Sequence, residues 1–225
     1  ARRVWRTRLS DRSLGSLETN ILKFKRSEEE IPGWMVPDIY YEYLRTGNAQ
    51  PLAGVFYHNE MDIVSLAAIF RHLALVIESP EKIPPDDRID LIAVARLFED
   101  LKATQKAYSI YEQGLNSELP TDFTVQALER NAHIAKKDGN LDLAVSLWMR
   151  AAELGGIGAC EELAKYFEHQ RKDILSAQDY ALKGLMFLKR VTDAAKYSKN
   201  SSISSFNYRL TRLERKLNRL NPPDS

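Results

Sequence analysis

Three alanines in the second half of the chain, Ala107, Ala144 and Ala177, stand 37 and 33 residues apart, and each opens the same pattern. Four residues on come Tyr111, Trp148 and Ala181; seven on, Gly114, Ala151 and Gly184; eight on, Leu115, Ala152 and Leu185. Offsets of this kind return to one face of an α-helix. Small residues at fixed places on that face let neighbouring helices approach, and large ones fill the space between them. Ten residues before each anchor lie Leu97, Ile134 and Phe167, which supply the facing position of a preceding helix. Residues 87–222 are therefore predicted to be stacked helix pairs, with an irregular helical bundle as the alternative.

The pattern is similar to the tetratricopeptide and Sel1-like repeats, whose period is about 34 residues. Beyond the third anchor, Ile203, Phe206, Leu210, Leu213, Leu217 and Leu220 follow a three-four spacing, surrounded by Arg209, Arg212, Arg215, Lys216 and Arg219. The run is short for a coiled coil and predicts a helix that caps the last repeat. Upstream, Pro80, Pro84 and Pro85 interrupt any helix over residues 79–86. The domain boundary is expected there, with residues 1–80 forming a separate unit.

That first unit reads as helical too. Leu14, Leu17, Ile21 and Leu22 predict a short helix entered through Ser10 or Asp11. Glu28 to Gly33 predicts a loop. Pro37 suits the first turn of a second helix, Asp38 to Arg45, which Gly47 ends. From Asn59 to Glu78 the sequence is apolar on more than one face, as expected of a helix inside a protein.

With 44% hydrophobic and 28% charged residues, the composition is that of a globular protein rather than a disordered one. The net charge of +1 makes no case for a nucleic-acid partner. Arg2, Arg3, Arg6, Arg8, Arg12, Lys23, Lys25 and Arg26 nevertheless concentrate positive charge at the start, which suits either a solvated surface or phosphate contact. The lone cysteine, Cys160, excludes an internal disulfide, reads as core packing and suits a reducing, cytoplasmic setting. No apolar run is long enough for a membrane span. Without an initiator Met or a signal-peptide core, the chain is expected to begin inside a longer protein.

The cluster best suited to chemistry is Tyr57-His58-Asn59-Glu60-Met61-Asp62. One reading makes Asn59 an N-cap and places Asp62 in the first helical turn, where a carboxylate favours the positive helix end. The other makes Asp62 a ligand of a hard divalent cation, with His58 as general base. Elsewhere, Glu168 and His169 with His133 have no convergent ligand spacing and read as solvated helix positions. Ser65 has no nucleophile-elbow context. His72 reads as a core histidine, and no Gly-rich phosphate loop is present.

Several ordered stretches carry a resemblance. Arg12-Ser13-Leu14-Gly15-Ser16-Leu17-Glu18, then Ile31-Pro32-Gly33, then Tyr40 to Gly47, then His58 to Leu66 look like the end of the YprB-like ribonuclease-H-fold family, which resembles the DEDD exonucleases. Glu162 to His169 looks like part of the helical repeat region that members often carry. The resemblance implies a mainly α chain: the C-terminal helical part of a ribonuclease-H-like domain, then a tetratricopeptide-like α-solenoid. It also implies a metal-dependent 3′-5′ exonuclease using magnesium or manganese on a nucleic-acid end, with Asp62 as metal ligand and His58 as base.

Two departures qualify this. Three residues separate His58 from Asp62, where histidine-type enzymes usually have four, and Tyr57 stands at the longer spacing. The family's first two acidic motifs, Asp-x-Glu and Asn-x-x-x-Phe/Tyr-Asp, are not found in this sequence. The chain alone is thus expected to be inactive. The alternative function is a non-catalytic module that binds a protein through its repeats.

Overall fold

The computed structural model describes residues 2–26, 31–190 and 196–220, excepting the side chains of 196–200 and 220. The fold is mainly α, with no strand among the described residues. It divides into two compact units, residues 1–94 and 95–225.

The first unit opens with α1 (Leu14–Leu17), which runs directly into a π-helical turn, Glu18–Leu22. Ser13, rather than Ser10 or Asp11, is its N-cap and accepts a hydrogen bond from the Ser16 amide. Asp11 instead holds Ser13, accepting from its amide at 2.9 Å and from its hydroxyl at 2.6 Å. Lys23, left-handed at φ 56°, closes the π turn. Helix α2 (Val36–Thr46) has Pro37 in its first turn and ends on Gly47, whose φ of 71° favours a residue without Cβ.

Helix α3 (Leu52–Glu78) begins seven residues before the position expected from its apolar run. Asn59 therefore lies inside the helix, and its N-cap reading is incorrect. Nor is the helix enclosed: Val55, Ser65 and Ile69 are buried, while Ile63 and Phe70 are 68% and 73% exposed. The described elements pack on one side only, so the second apolar face has no cover among them. Two short 3-10 turns, Pro80–Lys82 and Pro85–Asp87, carry the chain through the proline segment.

Within this unit Val4, Trp5, Leu17, Ile21, Ile69 and Leu91 supply core side chains. His72 lies half-buried with its ring centroid 5.9 Å from that of Trp5. Arg8 pairs with Asp87 and, at 3.2 Å, with the buried Asp90. Burial drives the Asp90 carboxyl up to about 6, and the charge of Arg8 offsets only part of that.

Helix α4 (Ile89–Asp100) contains the boundary between the units, at Val94 and Ala95. There follow α5 (Thr104–Leu115), α6 (Thr121–Lys137), α7 (Leu141–Glu153), α8 (Ile157–Tyr166), a second π turn at Phe167–Arg171, α9 (Ile174–Arg190) and α10 (Lys196–Leu220). From α5 onward each helix packs on the next. Ala107, Ala144 and Ala177 are all fully buried at these contacts. The repeated small residues thus lie where helix backbones come together.

Two apolar clusters hold the second unit. One joins Leu128 and Ala132 of α6, Trp148 and Ala151 of α7, and Cys160 and Leu163 of α8. The other joins Ala181 and Leu185 of α9 to Phe206, Leu210 and Leu213 of α10. The last helix therefore covers α9, as expected of a cap, although the Leu220 side chain lies outside the described residues. Cys160 is fully buried, and burial pushes its thiol up to about 11. No helix among the described residues is long and apolar enough to cross a membrane.

Candidate functional site

His58 and Asp62 lie one turn apart on α3, with His58 Nε2 3.5 Å from Asp62 Oδ2. Four residues advance about 40° around a helix, so both side chains leave the same face. Tyr57 is displaced from Asp62 by about 140° and is 48% exposed. The pair sits well inside α3, and its setting comes from neighbouring segments rather than from a helix end.

Those neighbours are the stretches singled out by the sequence. Ile31 packs against Gly54, where a Cβ would collide with it, and a Cβ on Gly33 would stand 3.7 Å from His58 Nε2. Arg26 reaches in from the segment after the first π turn. Its Nη2 donates to Asp62 Oδ1 at 2.6 Å, and its Nε and Nη2 donate to Glu18 Oε2 and Oε1 at 2.7 and 2.6 Å. Glu18 is 1% exposed. Burial alone would raise its pKa, but hydrogen bonds from Arg26 and Ser65 outweigh this and hold it below the ordinary carboxylate range.

The site is thus a buried carboxylate and a surface-facing one joined by one guanidinium. Asp62 retains 35% side-chain exposure and His58 retains 19%. Arg26 and Glu18 are residues that sequence reasoning left out of the site. Glu18 falls inside a stretch that carried the resemblance, and Arg26 belongs to the basic opening segment, but neither spacing revealed their pairing.

A second network resembles the first. Glu168 lies in the π turn after α8, is 1% exposed, and is therefore not the solvated position expected from the sequence. Its carboxylate accepts from Arg209 at 3.0 Å, Arg212 at 2.5 Å and Lys216 at 2.7 Å. These cations overcome the burial penalty and bring its pKa down to about 2. Both π turns, each closed by a left-handed lysine, hold a buried glutamate against arginine. Such turns displace a side chain from the regular helical register.

The described residues do not make a metal site by themselves. No group of three or more His, Cys, Asp or Glu side chains converges among them. Both Glu18 oxygens are taken by Arg26, which also holds Asp62 Oδ1, so Asp62 offers at most its Oδ2 oxygen to a larger ligand set. His133 and His169 do not join Glu168 in such a cluster.

Residues 1–74 match the RNase_H superfamily. The chain is also 30% identical over 220 residues to the uncharacterized protein YprB of Bacillus subtilis (strain 168). That alignment takes in 96% of this chain and 51% of the relative, so the chain spans about half the length of the curated relative it matches. Together these similarities support an RNase H-like family for the first unit, the part that contains His58 and Asp62.

Proposed function

We propose that residues 1–80 are the C-terminal part of a metal-dependent 3′-5′ exonuclease domain acting on a DNA or RNA end. Residues 87–222 form its tetratricopeptide-like repeat domain. The observation that carries this reading is the shared face of His58 and Asp62, within a segment similar to the RNase_H superfamily. Asp62 serves as one ligand of magnesium or manganese, completed by carboxylates that the described residues do not supply. The ion would supply charge stabilisation to phosphodiester cleavage. His58 would act as the general base beside that carboxylate. The exposed apolar face of α3 supports the same reading, since a helix of this composition is suited to a larger domain.

On this reading the chain alone is inactive, because Asp-x-Glu and Asn-x-x-x-Phe/Tyr-Asp are not in its sequence. The test compares this chain with a polypeptide that supplies both motifs upstream, using an end-labelled oligonucleotide with magnesium or manganese. Only the extended protein should shorten the label stepwise, and Asp62→Ala should abolish that activity. Turnover by this chain alone, or activity that survives Asp62→Ala, contradicts the proposal.

A second reading, a protein-binding module without catalysis, is favoured by a separate observation. A groove of about 540 Å³ in the repeat unit is lined by Arg96, Glu99, Gln126, Glu129, Arg130 and His133. Helical-repeat surfaces of this kind take up peptides. In either case the single buried thiol suits the cytoplasm.

A further inference from the structure

We infer that the cationic flank of α10 is a binding surface for single-stranded nucleic acid. The inference rests on the preceding functional reading for the identity of the polymer, and on α10 itself for the surface. The chain as a whole carries a net charge of only +1, yet Arg209, Arg212, Arg215, Lys216 and Arg219 crowd one short stretch with Glu214 as its acid.

Helical geometry gathers them further. At about 100° per residue, the five cations fall within an arc of about 120°, beside the seam of Phe206, Leu210 and Leu213. Thr211, Glu214 and Asn218 occupy the opposite flank. The row from residue 209 to 219 rises about 15 Å, the length of about four phosphates on one strand of a duplex.

Glu168 fixes the inner part of the row. One carboxylate receives Arg209, Arg212 and Lys216, leaving two formal positive charges uncompensated and three cationic heads held in place. Less side-chain freedom then remains to be lost on binding. Arg215 and Arg219 form an exposed outer row. Tyr208 lies on the same flank, 70% exposed, with the Arg212 guanidinium carbon 6.0 Å from its ring centroid. An exposed aromatic ring among arginines offers a stacking platform beside the phosphate contacts.

The apolar side of α10 is already committed to α9. An interfacial membrane helix needs that side for lipid, so the flank fits a soluble polyanion better than a bilayer. The aromatic ring among the charges favours a strand with bases over an acidic peptide.

The test is fluorescence anisotropy of a labelled single-stranded oligonucleotide titrated with the chain across a salt series. Arg215→Glu with Arg219→Glu should weaken binding at least about tenfold and flatten the log-log salt slope by about 1.4, or 0.7 for each phosphate no longer neutralised. Arg215→Lys with Arg219→Lys should keep the slope, while circular dichroism verifies the helices of both variants. Unchanged oligonucleotide binding by the folded charge-reversed variant overturns the proposal. So does equal or tighter binding to a polyglutamate peptide or to anionic phosphatidylserine vesicles. If Asp62→Ala stops cleavage in the extended protein while charge reversal leaves binding intact, the nuclease reading survives and this surface does not. If charge reversal abolishes binding while Asp62→Ala leaves cleavage intact, the surface stands and the assignment of Asp62 falls.

Discussion

The ring of Phe206 in α10 occupies the space that a methyl group on Gly184 of α9 would need. A Cβ built at residue 184 would lie 2.6 Å from Phe206 Cζ and 3.0 Å from Cys160 Cβ. Phe206 is 2% exposed and Cys160 fully buried, so neither can yield toward solvent. Gly184→Ala is expected to destabilise the chain by about 1 to 3 kcal/mol through overpacking, despite the better helix propensity of alanine. Urea unfolding followed by circular dichroism measures this. A variant as stable as the parent would show that α10 does not close on α9 at this point.

Glu168 should make stability strongly dependent on acid. Its native pKa, near 2, lies below the ordinary value of 4.5, so its ionised form stabilises the fold above that ordinary value. This contribution should disappear as pH falls from about 4.5 through 2. Glu168→Ala leaves Arg209, Arg212 and Lys216 without their shared carboxylate and should cost about 3 kcal/mol at neutral pH. Parallel melting curves should therefore converge in acid; a constant separation down to pH 2 would dissociate the effect from this carboxylate.

Asp90 should have the opposite sign. Its pKa is raised to about 6 from 3.8, so the native state holds a proton that the unfolded chain releases. Its contribution is best below about pH 4 and worsens as pH rises through 6. Asp90→Asn removes the cost of a buried charge and should stabilise the chain at neutral pH by roughly 1 to 3 kcal/mol. Differential scanning calorimetry at several pH values tests this, and a lower Tm at pH 7 would mean that the Arg8 pair outweighs the burial penalty.

Asp62 and Arg26 should respond differently to removal although they touch. Without Asp62, Arg26 keeps both hydrogen bonds to Glu18, and Asp62 is itself partly solvated, so Asp62→Ala should change stability by less than about 1 kcal/mol. Arg26→Ala instead strands the buried Glu18 charge and should cost about 3 kcal/mol. Equal losses in denaturant titrations would show that the three residues act as one inseparable unit. The mild expected effect at residue 62 is what makes Asp62→Ala a usable probe of activity.

These pairs also show what could be read from the sequence. Gly184 and its equivalents Gly114 and Ala151 are legible because helix contacts repeat with the period of the helix, and a small residue at a close approach recurs with it. His58 and Asp62 are legible as a pair because four residues make one turn, but the helix start is not. Asn59 has the chemistry of a cap, while Leu52 to His58 continue the helix seven residues upstream. Arg26 lies 36 residues from Asp62, and its reach depends on the π turn that buries Glu18. Glu168 escapes the sequence for a related reason: its three partners lie 41 to 48 residues away on another helix. Local periodicity specifies which face is apolar, but not which distant cation will meet a buried acid.

Cys160 gives the second unit a chemical clock. A sulfhydryl fully enclosed between α7, α8 and α9, and protonated up to about pH 11, has almost no nucleophile to offer an alkylating reagent. It can react only in molecules whose helices have parted, so the labelling rate counts openings of the stack rather than collisions at its surface. A single native atom can thus time the breathing of these helices without any dye or engineered tag.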